Sequence, residues 1–403
     1  MGVAGLPASH DCSKPDNDID RNTMYIGQIM SKHNYGIIHV QEDFCHHQTL
    51  YKYDDHPFRT EISGDVLKSL GLNTLSRFDW VDFAKIPWNP CGTGTKKDLD
   101  CTVKKGFTFM RLRIDEGVYI DMINLHADAG DKYYDQIGRR KNIQQVADYI
   151  TANSTGNAVI VFGDTNSHYS QSGDNIRLFT TQNKLADAWV RAIGGNEPAP
   201  GSGASICNCE KTEKVFYRGS RVINLEPIGF YYDTSMFQSP AGARLTTSTP
   251  TRVEFEYTLD KTLRQSDLYG GPFGTWFNDL ASIPSSPKLS SITFRGANRL
   301  DGVTFTLTSG ETFKHGGTGG KAHTLKLEQG EYITSVKLCW GQRNGHTRNF
   351  YAQATTNKAN TVEAGKLTND CETTVAPLGF GVVSAYGQGG DEMDQLGFIF
   401  AQQ

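Results

Sequence analysis

Several apolar runs in this chain stop abruptly at groups that can do chemistry. Asn157-Ala158-Val159-Ile160-Val161-Phe162 ends at Gly163-Asp164-Thr165-Asn166. A buried strand that stops in this way brings a carboxylate and a carboxamide to the rim of a sheet. Both are hard oxygen donors, suited to a divalent cation and a phosphate. Alone, the tetrapeptide also reads as a simple turn, so its neighbours decide. Gly36-Ile37-Ile38-His39-Val40 is a second strand-like run, and Gln41-Glu42-Asp43-Phe44 follows it directly. Gly117-Val118-Tyr119-Ile120-Asp121-Met122-Ile123-Asn124-Leu125 leads straight into His126. Taken singly, Glu42 reads as a solvated loop acid and His126 as a structural histidine. Taken together, Glu42, His126, Asp164 and Asn166 are strand-end groups that one sheet edge could gather around a divalent cation and a phosphate.

The elements that must position them are legible as periodicities. Residues 15–33 carry Ile19, Ile26, Ile29 and Met30 on one helical stripe. Residues 106–112 and 117–125 read as a hairpin joined through Ile114-Asp115-Glu116. Residues 135–152 form the clearest helix, with Ile143, Val146, Ala147 and Ile150 on one face and Arg139-Arg140-Lys141 as its expected solvated basic face. Helix, strand and Gly-Asp-x-Asn give an α/β alternation around a layered sheet. From Tyr269 the helical periodicity disappears. Short strand-like stretches at 289–294, 302–307, 323–327, 332–339, 347–353 and 379–386 alternate with glycine-rich turns, the pattern of a closed or prism-like β domain. Gly316-Gly317-Thr318-Gly319-Gly320 lacks the Gly-Lys-Ser/Thr ending of a phosphate cradle and reads as a turn. The arginines of residues 342–348 read as solvated.

The 403 residues carry a formal net charge of -4, which provides no global attraction to nucleic acid or anionic membrane. No apolar run is long enough to span a bilayer. Residues 1–10 lack the charged region and long apolar core of a signal peptide. The cysteines point to an oxidising compartment: Cys91 and Cys101 flank a polar loop, Cys339 and Cys371 fall where they could bridge strands, and no zinc spacing appears. The sequon Asn153-Ser154-Thr155 leans the same way.

The words Gln41-Glu42, Leu125-His126, Gly163-Asp164-Thr165-Asn166 and Ser266-Asp267, in this order, resemble the endonuclease/exonuclease/phosphatase superfamily. That resemblance implies a four-layer α/β sandwich over residues 1–268. It also implies Mg²⁺ or another divalent cation held by Glu42 and Asp267, with His126, Asp164, Asn166 and Asp267 as the catalytic set. Residues 3–7, 41–44 and 215–218 look like a secreted microbial branch. Three positions depart from the pattern. Leu268 stands where members place a histidine, Glu213 where they place an aspartate, and Gly2 near a family asparagine. A missing acid/base group costs about 10²–10⁴-fold, so reduced turnover is expected. Residues 269–403 resemble jacalin-related lectins through Gly270-Gly271 at one end and Gly390-x-x-x-Asp394 at the other. This implies an all-β prism that binds mannose- or galactose-type glycans without a metal, through Gly271, Gly390, Asp391 and Asp394, with Phe273 or Tyr386 stacking on a sugar or belonging to the core. The combined expectation is an extracellular phosphoesterase-like protein targeted to glycans by a lectin domain. The rival is a carbohydrate-binding protein whose hydrolase-like part is dead.

Overall fold

The computed structural model describes residues 1–3, 17–61, 69–89, 105–199 and 210–403. The Cys91/Cys101 loop and most of the 3–7 word lie outside them. The first half is built on a six-stranded sheet. Its members are β4 (Trp80–Pro87), β5 (Gly106–Asp115), β6 (Val118–His126), β7 (Ala158–Asp164), β8 (Ala186–Asp187) and β9 (Glu213–Arg218), in the order β4-β5-β6-β7-β9-β8. Only β6 and β7 pair in parallel, and helix α3 (Tyr133–Asn153) makes the crossover between them. All nine residues of β6 are buried, because both faces of the sheet are covered. Ile123 and Leu125 pack with Ile143, Val146 and Ile150 of α3, while Ile120 and Met122 face the other way.

On that other side lie two smaller sheets. One joins β1 (Ile37–Val40), β2 (Phe58–Arg59) and β3 (Asn73–Ser76) in the order β1-β3-β2, and the other is the hairpin of β10 (Ile223–Tyr232) and β11 (Thr251–Leu259). Helix α1 (Asn17–His33) packs on α2 (His47–Tyr53). Asp18 and Asp20 in the first turn of α1 and Lys32 and His33 in its last turn complement the helix dipole. The basic face expected on α3 is only partly solvated. Arg139 is buried, donating to Asp174 Oδ1 at 2.9 Å and to the carbonyls of Asp128 and Gly130. Its guanidinium satisfies loop carbonyls that would otherwise be orphaned.

The second half holds three antiparallel sheets. Two have four strands. The first contains β15 (Leu289–Gly296), β16 (Leu300–Leu307), β17 (Thr312–Gly316) and β18 (Lys321–Lys326), and the second β19 (Ile333–Arg343), β20 (His346–Thr356), β21 (Thr361–Gly365) and β22 (Asp370–Val375). The third contains β12 (Leu263–Gln265), β13 (Tyr269–Gly270), β14 (Thr275–Asn278), β23 (Phe380–Gly389) and β24 (Met393–Gln402). Cys339 and Cys371 are register partners on β19 and β22 and form a disulfide across 32 residues. Cys45 is also disulfide-bonded.

The two halves share one core. Trp276, Leu396 and Phe398 cluster with Tyr119, Ile120 and Leu225. Arg111 lies over the Trp276 ring at 3.4 Å, Trp276 Nε1 donates to Thr155 O at 3.2 Å, and Gln388 Nε2 donates to Asp82 Oδ2 at 3.0 Å. Tyr386, a candidate for sugar stacking, is instead 1 % exposed within this junction. Its ring packs edge-on against Trp276 and Tyr119.

Candidate functional site

Parallel pairing of β6 and β7 places His126 directly opposite Asp164. Antiparallel pairing of β7 and β9 places Glu213 on the other side of Asp164. Asn166, held at φ 49°, folds back over this edge. Its backbone N–H donates to Asp164 Oδ1 at 3.0 Å, and its side-chain amide donates to Ala127 O at 2.9 Å. Glu42 follows β1 at φ 61°. The neighbouring Gln41 pins that strand end to β6, donating to Asn124 Oδ1 at 2.7 Å. Burial holds the His126 imidazole below its ordinary pKa, against the pull of the Asp164 and Glu42 carboxylates. His126 is therefore neutral near pH 7 and can accept or donate at either ring nitrogen. Asp43 is wholly buried and pushed up to about 6 by that burial, offset in part by the Asn73 amide.

The structure brings Glu42, from the end of the three-stranded sheet, to face His126, Asp164 and Asn166 at the end of the six-stranded one, and adds Glu213, whose Oε1 accepts from Thr249 N at 2.7 Å. It does not bring Asp267 to them. Asp267 accepts from Arg113 Nε and Nη2 at 3.0 and 2.8 Å, from Gly117 N at 2.9 Å and from the Tyr119 hydroxyl at 3.0 Å. Tyr119 and His126 are seven residues apart on one strand, about 23 Å at roughly 3.3 Å per residue. The physical reason is strand pairing. β12, just before Ser266, pairs with β24, and Ser266 N donates to Phe398 O, so this segment belongs to the β half. Leu268 is buried there, its N–H on Tyr119 Oη.

The loop that meets Glu42 is instead Thr246-Thr247-Ser248-Thr249. Thr247 Oγ1 donates to Glu42 Oε2 at 2.7 Å, and Ser248 Oγ accepts from Gly2 N at 2.7 Å. A Cβ on Gly2 would lie 2.2 Å from Thr247 Oγ1, so the glycine leaves the room this threonine occupies. Sequence reasoning missed these hydroxyls because neither side chain titrates. The available signal was their place, just ahead of Pro250 and the strand it opens. His168 is not part of this group; its Nδ1 lies 3.8 Å from Glu210 Oε2.

The donor set fits a hard cation. Mg²⁺ is held by one or two carboxylates and keeps several waters, and Glu42, Asp164 and Asn166 offer oxygens of that kind. Among the described residues, the three-ligand cluster with ligand atoms all within 4.8 Å is Asp54, Asp55 and His56. That cluster is already used internally, with His56 Nδ1 on Asp54 and Nε2 on Tyr35 O.

In the second half, β13–β24 pairing brings the two lectin-like words together. Gly271 N donates to Asp394 O at 2.9 Å. A Cβ on Gly274 would lie 2.7 Å from Asp394 Oδ2, so the chain passes hard against this carboxylate. Asp394 Oδ1 is buried without a hydrogen-bond partner, with Arg348 Nη1 3.2 Å away. Burial raises the Asp394 pKa, and Arg348 opposes it. Gly390 and Asp391 form the exposed turn between β23 and β24. The arginines read as solvated, Arg343 and Arg348, are engaged: together with Arg299 they converge on Glu392, at 2.5, 3.5 and 2.5 Å respectively. Phe273 is 47 % exposed and stacks on His346 at 4.2 Å between ring centroids.

Comparison with known proteins matches this division. Residues 17–189 match the Endonuclease/Exonuclease/phosphatase family 2 model, and residues 266–399 match the Jacalin-like lectin domain model. The family-model matches thus run in the order endonuclease/exonuclease/phosphatase family, then jacalin-like domain. A sphingomyelinase of Mycobacterium tuberculosis is 33% identical over 235 residues, 56% of this chain and 46% of that protein. The chain therefore spans about half the length of the sphingomyelinases it matches. Secreted RxLR effector protein 19 of Plasmopara viticola is 25% identical over 148 residues, covering 35% of this chain and 82% of that protein. A mannose-binding jacalin-related lectin from Ananas comosus aligns over 35% of this chain and 99% of its own, at 25% identity and TM-score 0.31.

Proposed function

We propose that this is an extracellular glycan-binding protein carrying a phosphoesterase-type site of reduced turnover. The observation that carries the reading is the Thr247–Glu42 contact. The carboxylate expected to hold a cation is present, beside Asp164, Asn166 and His126. The loop that closes over it offers hydroxyls in place of an acid/base pair. Glu42, with Asp164 and Asn166 beside it, would hold Mg²⁺, which offsets negative charge developing on a phosphoryl group. His126, neutral and at the edge, would hydrogen-bond a phosphoryl oxygen. Asn166 and Asp164 would orient a water. Absence of a proton-carrying side chain at Thr247–Ser248 removes about 10²–10⁴-fold of rate. The sphingomyelinase relatives make a choline-type phosphodiester the first substrate to try.

On the same reading, residues 1–268 form a four-layer α/β sandwich and residues 269–403 a β-prism, with β12 lent by the first to a sheet of the second. The prism binds a mannose- or galactose-type glycan through Gly271, Gly390, Asp391 and Asp394. Tethering then raises the local concentration of substrate. Hydrolysis of sphingomyelin vesicles and of a soluble phosphodiester, with Mg²⁺, Mn²⁺ or Ca²⁺, tests the first half. Slow turnover abolished by Glu42→Gln and raised at least about tenfold by Thr247→Asp with Ser248→His supports the reading. Turnover that ignores both changes refutes it. No turnover in any of these proteins favours the second reading, a glycan-binding protein with a dead hydrolase-like half, which Gly2, Thr247 and Ser248 also support.

A further inference from the structure

The turn that carries Gly390 and leads to Asp394 is tied to both neighbouring sheets through one carboxylate, Glu392. Arg299, just ahead of β16, grips it with two bonds, Nε to Oε2 at 2.8 Å and Nη2 to Oε1 at 2.5 Å. Arg343, the last residue of β19, donates from Nη1 to Oε1 at 2.5 Å. Arg348, on β20, reaches Glu392 Oε2 only at 3.5 Å, and its Nη1 lies closer to Asp394 Oδ1, at 3.2 Å. The turn is also seated on the glycine-rich loop, where a Cβ on Gly317 would lie 2.2 Å from Asp391 O. Asp394 is 3 % exposed, and its Oδ1 is buried without a hydrogen-bond partner. A buried carboxylate oxygen in that state is costly unless a cation stands beside it. Arg348 is the cation that stands there. Its Nε is likewise buried without a partner.

We propose that Arg348 is a positioning residue of the glycan site: it holds the Asp394 carboxylate where a sugar hydroxyl can donate to it, while Arg299 and Arg343 occupy Glu392 and leave this guanidinium to Asp394. The inference rests on the glycan-binding reading of Gly271, Gly390, Asp391 and Asp394. The need for such a residue is chemical. An ionised carboxylate only accepts, and it takes a hydroxyl donor in a charge-assisted bond; a protonated one gives up that advantage. Burial raises the Asp394 pKa, Arg348 opposes the rise, Glu392 adds to it, and His346 opposes it. Because the ionised form binds, affinity is full above this pKa and is lost as pH falls through it. Removing Arg348 moves that acid edge up. His346 stays in every variant tested, so its pull is common to all.

The test is calorimetric titration of the full chain with methyl α-mannoside and methyl α-galactoside from acid to neutral pH. In Arg348→Gln the acid edge of binding should rise by about one pH unit, as expected for a carboxylate losing an adjacent opposite charge. Affinity at neutral pH should fall about tenfold, because the charge-assisted bond loses its geometry. Arg348→Lys, which keeps the charge, should return the edge to its place in the unaltered chain. Glu392→Gln, which removes a like charge, should move the edge down, and it decides the matter if Arg348→Gln does not fold. A merely structural role lowers affinity by the same factor at every pH. That result, or an edge that Arg348→Lys does not restore, overturns the proposal. Asp394→Asn separates this failure from failure of the glycan reading. Weakened binding there with unaltered Arg348 variants overturns the proposal alone. Unchanged binding in Asp394→Asn, or no binding of either glycoside by the unaltered chain, overturns the glycan reading and this inference with it.

Discussion

Replacing Asp267 separates a docking role from a catalytic one. Its carboxylate accepts four hydrogen bonds at the base of β6. Burial pushes its pKa up, but the bonds from Arg113, Gly117 N and Tyr119 outweigh that, so it titrates below its ordinary value. In Asp267→Ala the Tyr119 hydroxyl, on a side chain 4 % exposed, loses its acceptor; an orphaned buried donor costs about 1–3 kcal/mol. The Arg113 side chain is 41% exposed, so its ion pair adds at most about 1 kcal/mol. The expected cost is about 1–4 kcal/mol. Because the folded pKa is depressed, this stabilisation is present above the unfolded value, about 3.9, and is lost as pH falls through the folded one. Urea unfolding of both proteins at several pH values should therefore show a gap at pH 7 that narrows in acid. Mg²⁺ affinity and phosphodiester turnover of the folded variant should stay within about twofold, since roughly 23 Å of β6 separates Asp267 from His126. A folded Asp267→Ala protein that has lost Mg²⁺ binding would refute the placement.

Three further outcomes are expected. Asp394→Asn should weaken mannose- or galactose-type glycan binding by roughly ten- to hundredfold, the cost of one charge-assisted hydrogen bond of about 1.5–3 kcal/mol, measured by glycan array and calorimetry. Replacing Cys339 and Cys371 by serine opens a loop of 32 residues; the chain-entropy cost is about 3–4 kcal/mol, and differential scanning should show the lower unfolding temperature. His126 is held below its ordinary pKa. The unfolded chain therefore binds this proton first, and stability falls as pH drops below about 6.5. His126→Asn should flatten that part of the stability–pH curve.

The parts of this molecule legible in its sequence are those in which one continuous segment carries both the element and the polar group. β6 and β7 end in His126 and Asp164, and an apolar run that ends in a polar group states its own geometry. Helix α3 was equally plain from Ile143, Val146 and Ile150, but the burial of Arg139 was not, because the carbonyls it satisfies come from other loops. Asp267 failed for the same reason. A two-residue word says nothing about which sheet its flanking strands join, and that was settled by β24, which pairs with β12 from the far end of the chain. The pairing gives β6 two separate tasks. Its C-terminal end presents His126 beside Asp164, while Tyr119 near its start docks the β half through Asp267. Those two residues of β6 are roughly 23 Å apart at ~3.3 Å per residue. A Glu42-centred site and the Asp267 junction therefore do not share a ligand. On the proposed reading, glycan capture by the β half would aid hydrolysis by raising the local concentration of a phosphoester, not by gripping the molecule being cleaved at the junction. Competing free sugar should thus slow turnover on glycan-coated vesicles and leave turnover of a soluble phosphodiester unchanged; equal slowing of both would mean that the two ends of β6 communicate.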